Sequence, residues 1–142
     1  STFIFGYKSH FIENSNRNFS EKLKLTESIK ENFSKIDRIL IPPKLDYVRM
    51  YSGLPIFIDW KHHAFRFDQV IEWKKRMDLA NDFYASKKIE DQGIKLEEIQ
   101  KIEYISHVLI KRDKLKIDCN DLINHKVFVL VDVNDCYNIN LK

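Results

Sequence analysis

The stretch "RILIPPKLDYVRMYSGLPIFIDWKHH", Arg38 to His63, decides the reading of the whole chain. It holds two short apolar runs, Arg38 to Ile41 and Pro55 to Trp60, separated by one amphipathic segment. The first run is stopped by Pro42 and Pro43, which cannot donate to a β-ladder. The second is apolar on both alternating faces, which predicts burial on both sides and hence a parallel sheet. Between them "LDYVRMYSG" predicts a short helix ended by Gly53.

Working outward, "SEKLKLTESIKENF" places Leu25, Ile29 and Phe33 on one helical face, with Ser20 as a candidate N-cap. "DQVIEWKKRMDLANDFY" repeats the pattern through Val70, Trp73, Met77, Ala80 and Tyr84, leaving the opposite face charged. A short helical stretch around "KLEEIQK" leads to a third strand, "YISHVLIKR". The close, "KVFVLVDVNDCYNINLK", alternates with period two on either side of "VND" and predicts an antiparallel hairpin. The expected fold is α/β: a small, mostly parallel, Rossmann-like sheet, covered as two or three layers, with a C-terminal hairpin. Residues 1–142 form one domain, with 1–16 irregular or linker-like.

Composition narrows the function. At 142 residues with 44% hydrophobic and 13% aromatic content the chain can bury a core. A net charge of +3 is too small for a dedicated nucleic-acid binder, and no nucleic acid is expected as partner. No run approaches the ~20 apolar residues of a membrane helix. The first residue is not Met, so the chain is expected to be a piece of a longer one. Cys119 and Cys136 fit no CxxC pattern; buried free thiols are the default, and a disulfide requires a compartment outside the reducing cytosol.

In open parallel sheets, ligands bind beyond the carboxyl ends of the strands. The predicted site is therefore a cationic rim where the first two strands end: Lys44, Arg49 and Lys61 beside Asp59, Trp60 and His62. Such a rim suits a phosphate or carboxylate. Strand-end lysines are more often simply solvated, and Asp59 can serve only to pair with one of them. The Pro-Pro step excludes a glycine-rich phosphate cradle after the first strand. His62 and His63 are adjacent and diverge, His10, His107 and His125 are scattered, and no metal site or cofactor is expected. His107, inside an apolar strand, reads as a core residue. No GxSxG elbow or activated cysteine supplies a nucleophile, so no catalytic residue is assigned.

The stretch resembles a segment near the C-terminus of large, multi-pass bacterial membrane proteins that look like integral-membrane glycosyltransferases using lipid-linked sugars. The matching residues are Pro42, Pro43, Arg49, Gly53, Pro55, Asp59, Trp60, Lys61, Phe65, Glu72 and Trp73. Leu54 stands where that family carries Arg, and Ala64 where it carries Pro. The resemblance implies an extracytoplasmic (periplasmic) domain, with the cytoplasm as the alternative. It implies as partners the membrane portion of a parent protein and an anionic sugar or lipid-linked glycan. The expected function is non-catalytic support or acceptor recognition in glycan or lipid-linked sugar metabolism. The alternatives are a stand-alone module for an anionic small molecule such as a sugar phosphate, and a small hydrolase or transferase using Asp59 and His62.

Overall fold

The computed structural model describes residues 19–58 and 66–136. A first helix, α1, occupies residues 19–30. It is followed by strand β1 (Ile39–Leu40), helices α2 (Asp46–Ser52), α3 (Phe67–Ala85) and α4 (Ile89–Ile102), and strands β2 (His107–Lys111) and β3 (Phe128–Asp132). β1 pairs in parallel with β2, and β2 pairs antiparallel with β3, in the order β1-β2-β3. The mostly parallel, Rossmann-like sheet is thus overturned. The sheet is small and mixed, with one parallel and one antiparallel strand pair, and about 55% of the structure is helical.

The reason lies in how the strands are covered. Leu40, Val108, Ile110, Val129 and Val131 point to one face and pack against Met77, Ala80 and Phe83 of α3 and Leu96 and Ile99 of α4. Ile39, Ile41, Leu109 and Leu130 point to the other and pack against Leu25 and Ile29 of α1 and Val48 of α2. Strands buried on both faces read as continuous apolar runs whichever way they run. Two-sided burial therefore does not require parallel pairing. Each of these enclosed aliphatic side chains contributes roughly 1.5–3 kcal/mol, so the two apolar layers are the main source of stability.

The helices follow their sequence signals with two shifts. α2 ends as expected: Gly53 takes a left-handed conformation (φ 69°) and its N–H donates to the Arg49 carbonyl at 2.9 Å. α1 already includes Phe19 and Ser20, so Ser20 is a helical residue and not the N-cap. On α3 the buried residues are Met77, Ala80 and Phe83, whereas Val70 is 41% exposed. Only the later part of α3 lies over the sheet.

The segment after α2 makes a single parallel bridge, Ile56 to Ile39, instead of a full strand. Ile39 N–H donates to the Pro55 carbonyl (2.9 Å) and Phe57 N–H to the Ile39 carbonyl (3.1 Å). Side chains replace the missing ladder. Arg38 donates to the Ile56 carbonyl at 3.0 Å and Arg76 to that of Phe57 at 3.4 Å. Glu103, just beyond α4, joins the two arginines: it pairs with Arg38 at 2.9 Å and with Arg76. Arg76 also stacks over the Phe57 ring (4.9 Å) and pairs with Glu72 (3.2 Å).

The end of β3 departs from the hairpin. Val133–Asp135 form a 3-10 turn in which the Asp132 carboxylate accepts from the Asn134 N–H at 2.9 Å. The second arm, from Tyr137 on, lies outside the described residues. Cys136 is not a free thiol; it is joined to Cys119 in a disulfide across 17 residues. The default of two buried thiols is corrected: the turn after β3 brings Cys136 back beside the loop that follows β2, a proximity that sequence spacing does not encode.

His107 is a core histidine, 1% exposed. Ser106 Oγ accepts from the Asp37 N–H (2.9 Å) and lies 2.8 Å from His107 Nδ1 and 3.2 Å from the Arg38 carbonyl, the ring tautomer setting which of the two receives its proton. Nε2 is buried with no partner among the described residues. Burial lowers the His107 pKa; Asp132, Asp37 and Asp135 oppose the shift and Lys35 adds to it.

Three outcomes follow from these contacts. Removing the disulfide as Cys119→Ala/Cys136→Ala lowers unfolding free energy in urea by about 3 kcal/mol, from the entropy returned to the unfolded loop. Glu103→Gln lowers it by about 1–2 kcal/mol, a charge-assisted network discounted for partial exposure. Because the folded pKa of His107 lies below the unfolded value near 6.5, the unfolded chain takes up a proton that the folded chain withholds. Stability is present above about pH 6.5 and is lost as pH falls below it. Urea midpoints at about pH 7.5 and about pH 5 show a larger drop for the wild type than for His107→Gln.

Candidate functional site

Parallel pairing of β1 and β2 sends their carboxyl ends to the same edge of the sheet. β1 runs out into Ile41, Pro42, Pro43 and Lys44, and β2 ends in Lys111, followed by the 3-10 turn Arg112–Lys114. Antiparallel β3 starts at this edge with Phe128. Between them lies a cleft of about 420 Å³ lined by Pro42, Pro43 and Lys44 on one side and Lys111 and Lys114 on the other. Asn81 and Tyr84 of α3 and the residues Leu45 and Phe128 complete it.

Its electrostatics are one-signed. Three lysines line the cleft, and no carboxylate is among its described lining residues. The groove between α3 and α4, about 730 Å³, offers the contrast: Lys74, Lys75 and Lys101 alternate there with Asp78, Asp82 and Glu98. Among its described lining residues the strand-end cleft, unlike that groove, presents positive charge without acids, which attracts an anion. The Tyr84 hydroxyl is committed to the Leu109 carbonyl at 2.7 Å, and burial raises its pKa well above 10. It stays protonated and holds the cleft wall to β2.

The loop carrying Lys114 is fixed by Gln92, a fully buried side chain of α4. Its Nε2 donates to the Lys114 carbonyl (2.9 Å), and its Oε1 accepts from the N–H groups of Lys116 (2.8 Å) and Ile117 (3.1 Å). Three bonds from one enclosed amide set the path of residues 114–117. The ammonium of Lys116 closes the turn on the Asp113 carbonyl at 3.2 Å.

Of the residues predicted from sequence, Lys44 lines the cleft. Arg49 lies on α2, partly buried, and is not part of the lining. Asp59, Trp60, Lys61 and His62 lie outside the described residues. The segment leading to them, through Ile56, runs parallel to β1. Lys111, Lys114 and Gln92 were not singled out from sequence. The strand-end rule, applied to "YISHVLIKR" as it was to the first two runs, points to the two lysines. Nothing in the sequence marks Gln92, since a glutamine on a charged helix looks solvated.

Among the described residues no group of three His, Cys, Asp or Glu is placed to hold a metal ion. Both cysteines are consumed in the disulfide, so neither is available as a thiolate. No described helix is long and apolar enough to cross a membrane.

A family described as "Domain of unknown function (DUF6798)" matches residues 20–80. The match takes in α1, β1, α2 and most of α3, and with them Lys44 and Arg49; Lys111 and Lys114 lie beyond it. No curated protein and no solved structure matches the chain.

Proposed function

We propose that this chain is a non-catalytic recognition domain that binds an anionic group of a sugar or lipid-linked glycan in the strand-end cleft, on the extracytoplasmic side of a membrane. The observation that carries the reading is the convergence of Lys111 and Lys114, beside Lys44, on one cleft with no carboxylate among its described lining residues. Ammonium groups hold phosphates and carboxylates as point charges. The disulfide supports the compartment, because such bonds persist where the surroundings are oxidising. The sugar as carrier of the anion, and a membrane-embedded parent, rest on the resemblance of Arg38 to Asp78 to the glycosyltransferase-like membrane proteins. A stand-alone binding module would use the same cleft. The hydrolase reading draws no support from the described residues lining the cleft, which include no acid and no nucleophile–base pair.

Thermal unfolding in the presence of pyrophosphate or glucose 1-phosphate tests the proposal, since a ligand of the folded form raises the melting temperature. The expected result is a concentration-dependent rise that Lys111→Ala/Lys114→Ala abolishes. Lys74→Ala/Lys75→Ala, in the charge-balanced groove, retains it. An unmoved wild type, or an equal rise in the Lys111→Ala/Lys114→Ala variant, overturns the proposal.

A further inference from the structure

We infer that the cleft is one half of a longer binding track and that its ligand is an extended anionic polysaccharide. This rests on the anion site proposed above and extends it. A second groove of about 680 Å³ adjoins the cleft, sharing Leu45 and Phe128 as common walls. It brings Lys22 and Lys24 of α1 and Lys126 to its lining, against a single acid, Glu21. The two recesses together present six lysines along one edge of the molecule. Each alone has room for a small ligand. They lie on either side of Leu45 and Phe128, so one molecule reaching both must be a chain that crosses that wall.

The second groove adds the rings of Tyr47 and His125 to the shared Phe128. Tyr47, His125 and Phe128 line it, with His125 and Phe128 centroids 5.9 Å apart and the Lys22 ammonium 5.2 Å above the Tyr47 ring. His125 Nδ1 accepts the backbone N–H groups of Val127 and Phe128, both at 3.1 Å, which leaves the ring proton on Nε2. Burial and then the neighbouring Arg112 lower its pKa while Asp121 opposes them, so at neutral pH it is an uncharged donor. Burial, reinforced by Asp46, raises the pKa of Tyr47, which keeps its phenol protonated. Flat apolar faces, neutral hydroxyl and N–H groups, and flanking ammonium ions match a pyranose chain bearing carboxylates or phosphates. The rings take the sugar faces, the neutral groups take hydroxyls, and the lysines take the charges.

Other polyanions fit less well. A bilayer surface is flat and does not enter two recesses. Nucleic acid belongs to compartments where a disulfide does not persist. An acidic peptide presents no row of hydroxyls to the neutral Tyr47 and His125 groups.

The test is calorimetric titration with galacturonate oligomers of one, two, four and about ten residues, with pyrophosphate as the short anion. The expected affinity rises at least tenfold from the dimer to the longest oligomer, as effective concentration makes the second contact intramolecular. Lys22→Ala/Lys126→Ala removes that gain and leaves pyrophosphate binding unchanged, while Lys111→Ala/Lys114→Ala removes both. All four lysines are exposed, and an unchanged melting temperature establishes folding of each variant. Pyrophosphate binding without a gain in length, or a gain untouched by Lys22→Ala/Lys126→Ala, overturns the track and leaves the anion site standing. Polyglutamate or a DNA oligomer of equal charge binding as tightly as the longest galacturonate overturns the polysaccharide assignment. Absence of pyrophosphate binding overturns the anion site itself.

Discussion

The Glu103 carboxylate stands between two guanidinium groups, Arg38 at the entrance to β1 and Arg76 in the middle of α3. Each arginine spends a further donor on a main-chain carbonyl of the 56–57 segment. That segment has only one bridge to the sheet, so these side chains do what a strand ladder would otherwise do. The carboxylate keeps two like charges from repelling each other and aims both forks at the same stretch of backbone. It also ties together three parts of the chain that sit far apart in sequence: the first strand, the long helix and the end of α4. The course of the 56–58 segment depends on it.

From that anchor the rest of the architecture is a sheet with two dry faces. The residues of β2 and β3 alternate between an α3–α4 layer and an α1–α2 layer, and Leu109 and Leu130 meet across the strands on the second. The lysine-lined edge is set by direction alone. Because β1 and β2 run the same way, the prolines after one and the lysines after the other arrive together. Because β3 runs the opposite way, Phe128 opens the same edge as a wall shared by both recesses.

Much of this was visible in the residues and some was not. The 3.6-residue spacing of Leu25 and Ile29, the stop at Gly53 and the apolar run from Val108 to Ile110 reflect local geometry, which sequence carries directly. Strand direction does not. "VLI" beside "FVLV" is equally apolar whether the pair is parallel or antiparallel, and the choice is made by where α4 and the 112–127 loop return the chain. The same limit applies to Cys119 and Cys136, whose meeting depends on the turn after β3, and to Gln92, whose burial depends on the loop folded over it. Of the predicted site, Lys44 was legible because a strand stopped by prolines must deliver its next residue to an edge. Lys111 and Lys114 needed the knowledge that β2 lies beside β1. The apolar run from Pro55 predicts a strand buried on both faces, whereas Pro55 is exposed, Ile56 is half-buried and the described segment makes one parallel bridge. It is the mostly parallel order of the whole sheet that fails, because β3 runs antiparallel.

The two prolines at the lip of the cleft have a consequence for selectivity. A typical phosphate loop grips its ligand with a ring of main-chain amides fixed in space, and so measures the shape of the anion. Pro42 and Pro43 have no such hydrogens to give. On that wall the charge must be met by ammonium groups on flexible stems, which register how negative a ligand is more than how its oxygens are arranged. Under the proposed function, such a grip discriminates little among sulfate, phosphate and carboxylate, and weakens as the surrounding salt rises.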